Sequence, residues 1–146
     1  RYNSNSHVSE RAMRDVYLKG FEIAVRESQP KALMTSYNLV NGEHSCNSRD
    51  LITCALRDEW GYKGIVMTDW YVTTTIMSGD VKYKHPEASA AGCVYAGNDI
   101  TMPAMATDKA DMLGSIGNDL ARYPIGRGHL QATAKRVLCM ILELNS

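Results

Sequence analysis

Segments of helical period alternate with short apolar runs along this chain, and that alternation restricts its fold more than any other feature. Residues 9–28 place Met13, Val16, Tyr17, Gly20, Phe21, Ala24 and Val25 on one helical face, with Arg11, Arg14, Asp15, Lys19, Glu22 and Arg26 around the rest. Ser6 or Ser9 can cap this helix. Gln29-Pro30 ends it, because proline biases its predecessor away from helical backbone. A strand is expected over Ala32 to Tyr37, then a loop over 38–47 that turns at Asn41-Gly42. A second helix starts near Ser48-Arg49-Asp50, buries Leu51, Ile52, Ala55, Leu56 and Trp60, and stops at Gly61. Gly64-Ile65-Val66-Met67-Thr68-Asp69-Trp70 follows as a buried strand. A polar, Thr-rich loop occupies 71–86, a third helix 87–96 and a brief strand 99–103. Helices over 108–122 and 128–144 complete the order, the last with Leu130, Ala134, Val137, Leu138, Ile141 and Leu142 on one face.

Helix and strand in strict turn predict an α/β fold, a parallel sheet with its helices outside. Three strands cannot close a barrel of eight. Standing free, such a sheet leaves two edges unprotected. The expectation is therefore part of a (β/α)8 TIM-type barrel, about three parallel strands with flanking helices. Residues 1–146 form one partial catalytic barrel domain in this reading. Arg1 to Ser6 lack the basic-then-apolar layout of a signal peptide and read as the middle of a longer protein.

Composition narrows the function classes. Lys+Arg and Asp+Glu are 16 each, so net charge is zero and nothing marks a footprint for nucleic acid or an anionic membrane. No apolar run approaches the ~20 residues of a membrane span. Cys46, Cys54, Cys93 and Cys139 stand without a Cys-x-x-Cys pair, which speaks against zinc and against a disulfide framework. Buried free thiols in a reducing compartment are the expectation, which favours the cytoplasm. His7, His44, His85 and His129 are dispersed, and neither a metal nor a cofactor is expected.

Asp69 closes its strand and Trp70 follows directly. Open sheets and barrels of the α/β class build their sites at the carboxyl ends of strands. A carboxylate there can attack or stabilise an anomeric carbon, while an indole packs on the C–H face of a pyranose. An aldolase-type site would instead want a lysine at that end. Lys31 and Lys63 stand at or before strand starts.

The 64–70 segment closely resembles the nucleophile segment of glycoside hydrolase family three. Val8-Ser9-Glu10-Arg11-Ala12-Met13-Arg14-Asp15-Val16-Tyr17-Leu18 resembles the family's helix before a strand. Lys31-Ala32-Leu33-Met34-Thr35-Ser36-Tyr37-Asn38 with Asn41-Gly42, and Ala96-Gly97-Asn98-Asp99-Ile100-Thr101-Met102-Pro103, resemble two further blocks in the right order. The resemblance covers residues 1–103 well and the remainder loosely. It implies a retaining β-glucosidase in which Asp69 is the nucleophile. It further implies that Trp70, Tyr37 and Met34 line the sugar site and that Arg1 binds substrate hydroxyls. The implied partners are a β-glucoside or oligosaccharide and the remainder of the parent enzyme, which supplies the missing strands and an acid/base domain.

Two family features are absent: the Lys-His pair that precedes the arginine, and the region that carries the acid/base glutamate. Ala104 also stands where the family commonly has glycine. The alternatives are a catalytically incomplete sugar-binding or inert piece, or a family member acting on xylosides, arabinosides or N-acetylglucosaminides. Glu43-His44 is read as solvated loop, and Gly126-Arg127-Gly128 as a turn.

Overall fold

The computed structural model describes residues 3–74 and 84–146. Its elements run β1 (Asn5–Ser6), α1 (Glu10–Ala12), a π-helical segment Met13–Tyr17, α2 (Lys19–Ser28), β2 (Ala32–Met34), β3 (Leu39–Val40) and β4 (Glu43–His44). A second π-helical segment, Asp50–Glu59, precedes β5 (Ile65–Trp70), α3 (Ala90–Ala96), β6 (Ile100–Met102), α4 (Ala106–Ser115) and α5 (Arg127–Leu144). Strands β2, β5 and β6 form one parallel sheet with β5 in the middle. The parallel sheet and outer helices expected from the alternation are both present.

Local chemistry accounts for the boundaries. The Ser9 hydroxyl accepts from the Ala12 amide at the start of α1, and Gln29 ends α2 in the left-handed region with φ 45°. Ser89 caps α3 by accepting from Gly92, so that helix begins at Ala90 rather than at 87. Helix α4 ends at Ser115, well short of 122, where Ile116 turns extended and pairs with Ile125. Ile125 is buried there. Among the described residues, no helix is long and apolar enough to cross a membrane.

The sheet buries one face only. Val66 and Thr68 of β5 are fully buried, while Ile65, Met67 and Asp69 between them are half-buried. Val66 packs with Val25, Ile52, Leu56, Trp60 and Tyr62, which is the core between the sheet and the helices. Register pairs Ala32 with Ile65 and Met34 with Met67, and both Ala32 and Met34 are exposed. Among the described residues, the second face of the sheet is only partly covered.

The helices repeat this pattern. On the first helix Val25 is buried, yet Val16, Tyr17 and Phe21, expected on a buried face, are exposed. On α5, Met140 is buried, while Leu138, Ile141, Leu142 and Ala134 face outward. Periodicity identified the apolar faces correctly but could not report that nothing within the described residues covers them. Cys46 and Cys93 are buried as expected, whereas Cys139 lies exposed on α5.

One correction concerns residues 38–47. They form the β3–β4 hairpin around Asn41-Gly42, with β1 adding in parallel to β3. Asn41 and Gly42 both take positive φ, which suits a two-residue hairpin turn. Glu43 and His44 belong to this hairpin and are half-buried, not solvated loop. The His44 Nε2 pairs with the Pro86 carbonyl at 2.7 Å, and burial pushes the Glu43 carboxyl up.

The amino end of the sheet is held by a buried ion triad. Asp99 is bound by Arg57 at 2.7 Å and Arg136 at 2.6 Å, and also accepts from the Val66 amide. Arg57 spends its other donors on the Gly97 and Gly64 carbonyls. Beside it, Gly64 has no room for a side chain: a Cβ would lie 2.5 Å from the Lys31 carbonyl and 2.7 Å from that of Pro30. Backbone cannot swing aside, so Gly64→Ala should destabilise by about 1–3 kcal/mol through overpacking. A urea midpoint unchanged from wild type would refute the tight approach.

Tyr62 gives a pH prediction. Its hydroxyl donates to the Ile65 carbonyl, and burial raises its pKa from 10.0 to about 12. Below the lower value the phenol is neutral in both states. Between the two values the unfolded chain ionises and the folded one does not, so this group's contribution falls as pH rises through that window. Urea unfolding across the window should show a shallower loss in Tyr62→Phe than in wild type.

Candidate active site

Asp69 sits at the carboxyl end of β5, the central strand, opposite the end held by the ion triad. Position alone makes it available: a carboxylate at the end of a middle strand lies where neighbouring strand ends converge. The Trp70 amide donates to the Asp69 Oδ1 at 2.7 Å. Trp70 itself is 49% exposed.

Tyr37 is buried, and its phenol donates to the Trp70 carbonyl at 2.6 Å. It thus reaches across from the segment after β2 to the strand end that carries Asp69. Met34 ends β2 opposite Met67, two residues before Asp69, and is 54% exposed. It also borders an apolar cavity of 230 Å³ with Leu33, Phe21, Leu51 and Trp60. Arg1 lies outside the described residues, as does most of the 71–86 loop.

The strand end is irregular in a way the sequence did not announce. Met67 pairs with Ile100 and Trp70 with Met102, so Thr68 and Asp69 together oppose Thr101 alone. This is a β-bulge, a device common beside active sites. The Thr68 hydroxyl accepts from the Met102 amide at 2.9 Å, and the Tyr71 amide donates to the Met102 carbonyl at 2.6 Å. Tyr71 then takes φ 59°, a left-handed backbone that a bulky residue adopts only under constraint. Its ring lies 5.9 Å from that of Trp70, tilted by 44°. A threonine before the strand-end aspartate was the one visible trace of this arrangement.

Two cavities among the described residues lie away from Asp69. One of 540 Å³ runs between the first helix and the Asp50–Glu59 segment, and one of 250 Å³ is lined by His44, Ser89, Asp111 and Arg122. Asp69 is half-buried on the same face of the sheet as Met67. Among the described residues, no three His, Cys, Asp or Glu side chains gather closely enough to hold a metal ion.

Residues 2–140 match the glycosyl hydrolase family 3 N terminal domain, and the chain belongs to that family. It is 45% identical over 103 residues to beta-glucosidase B of Emericella nidulans, covering 70% of this chain and 10% of that protein. Against a beta-glucosidase of Ruminococcus albus it is 37% identical over 151 aligned positions, covering all of this chain and 15% of the relative. The structure of beta-glucosidase 3B from Thermotoga neapolitana in complex with alpha-D-glucose superposes with a TM-score of 0.77 and 29% identity, over 97% of this chain and 18% of that one. The chain thus spans between a tenth and a fifth of these relatives' length.

Proposed function

We propose that this chain carries the nucleophile and part of the terminal-sugar subsite of a retaining β-glucosidase. The observation that carries the reading is Asp69 at the carboxyl end of the central strand, beside the half-exposed Trp70 indole. With Oδ1 engaged by the Trp70 amide, Oδ2 is the oxygen left to attack. Oδ2 adds to the anomeric carbon as the aglycone leaves, giving an α-glucosyl ester. Water then attacks the same carbon and releases glucose with its β configuration retained. The Trp70 face packs on the sugar's C–H surface, and Tyr37 fixes the backbone on which both residues ride.

The second carboxylate of this mechanism, ~5–5.5 Å from the first, comes in this proposal from the remainder of a parent enzyme. So do the strands that cover the open sheet face and complete the barrel domain to which residues 1–146 belong. Glucose as the sugar follows from the relatives' names and from the glucose complex of the Thermotoga neapolitana protein. A second reading, that the chain by itself is catalytically incomplete, is favoured by the uncovered faces of the sheet and of α5.

A dinitrophenyl β-glucoside separates these readings, because its leaving group needs no proton, a contribution otherwise worth about 10²–10⁴-fold. Proton NMR during the first turnover should show β-glucose before mutarotation. First-formed α-glucose would contradict retention. No release by a folded chain would support the incomplete piece, and faster release from the corresponding xyloside would reassign the sugar.

A further inference from the structure

We propose that Thr68 is the positioning residue for Asp69: its hydroxyl holds the bulge in which the carboxylate sits at the end of the strand. This rests on the reading of Asp69 as nucleophile. Thr68 is fully buried, and its side chain takes the Met102 amide that a strand carbonyl would take in a regular ladder. Three residues along, the same Met102 receives the Tyr71 amide on its carbonyl. Met102 of β6 therefore grips β5 on both sides of Asp69, once through a side chain and once through the main chain. The Tyr37 phenol on the Trp70 carbonyl adds a third fixed point from the other neighbouring segment.

The consequence follows from strand geometry. Side chains alternate between faces, and Asp69 keeps the half-buried face of Met67 while Val66 and Thr68 are buried. A bulge bends the strand locally and so sets the aim of the residue within it. Here the extra residue can be accommodated only while something other than a ladder carbonyl accepts the Met102 amide. A methyl group cannot accept. Valine at position 68 has threonine's shape and lacks the acceptor, so it should release the bulge and let Asp69 drift. Misplacement of a reacting group by about 1 Å costs about 10²-fold in rate.

The test uses inactivation by a 2-fluoro-2-deoxy-β-glucoside bearing a dinitrophenolate leaving group. It separates the chemical rate of labelling from the affinity for the reagent. Thr68→Val should label about 10–100-fold more slowly with affinity changed less than about 2-fold, and Thr68→Ser should restore the rate. A structural role alone would lower affinity and rate together and would not distinguish serine from valine. Labelling of Thr68→Val at the wild-type rate would overturn the proposal and leave Asp69 as nucleophile untouched. So would a Thr68→Ser variant as slow as valine. Absence of any label on a folded wild-type chain would support the catalytically incomplete piece and overturn this inference for the chain, whereas a label on another carboxylate would overturn the nucleophile reading itself. Should Thr68→Val fail to fold, hydrogen exchange on the wild type still decides the contact. A protected Met102 amide supports the bond, and one exchanging as fast as an open loop refutes it.

Discussion

Asp69→Asn is expected to lower cleavage of a dinitrophenyl β-glucoside by at least about 10⁴-fold while leaving the fold intact. Asparagine keeps the size of the side chain and can still accept from the Trp70 amide through its carbonyl. It lacks the anionic oxygen that forms the bond to carbon. The loss should therefore appear in the rate of the chemical step, with unfolding by urea close to wild type. A sharper form of the same prediction uses Asp69→Gly with azide. Azide entering the vacated space attacks from the side the carboxylate would have used, and the product is the inverted α-glucosyl azide. Recovery of β-glucosyl azide, or none in a folded variant whose wild type is active, would place the nucleophile elsewhere.

Asp99→Ala should produce the largest loss of stability. The Asp99 side chain is fully buried and lies between two guanidinium groups, with Arg57 only 10% exposed. Burial alone works against the Arg57 charge, and Asp99 is the main influence opposing it. Removing the carboxylate leaves both arginines facing each other without an anion and strips the Val66 amide of its acceptor. Breaking one partner out of a buried ion cluster costs about 3–5 kcal/mol, a large share of the 5–15 kcal/mol typical of a domain. Urea unfolding by circular dichroism reads this directly. A loss under about 1 kcal/mol would mean the triad adds little beyond its own desolvation. Because the triad holds the amino end of the sheet and Asp69 the other, labelling of any folded population should be spared.

The strand-and-helix order was legible because each element carried its own local signal. Ser9 and Ser89 cap, Gly61 with φ 72° stops a helix, and the apolar 65–68 run ends where the carboxylate begins. The pairing of Asp69 with Trp70 was legible for the same reason, since adjacent residues at a strand end need no tertiary information to be placed together. Features that depend on a neighbour were not legible. The bulge at Thr68–Asp69 exists only relative to β6, and the short β1–β3–β4 sheet is set by hydrogen bonds spanning more than thirty residues, such as Leu39 N–H to the Ser4 carbonyl. Exposure of Val16, Tyr17 and Phe21 was illegible in another way. A helical period marks which face seeks cover, and the covering partner has to be found elsewhere. Tyr37 shows the middle case: its block resemblance placed it near Asp69, and in the fold its phenol donates to the Trp70 carbonyl.

Covalent labelling would identify the nucleophile. The folded chain is incubated with the dinitrophenyl 2-fluoro-2-deoxy-β-glucoside, and its intact mass and peptide map are recorded. The account predicts the mass gain of one fluoroglucosyl group on the peptide containing Asp69, absent from Asp69→Asn. A folded chain labelled on a different carboxylate would contradict it, and one that stays unlabelled would show the chain to be catalytically incomplete by itself.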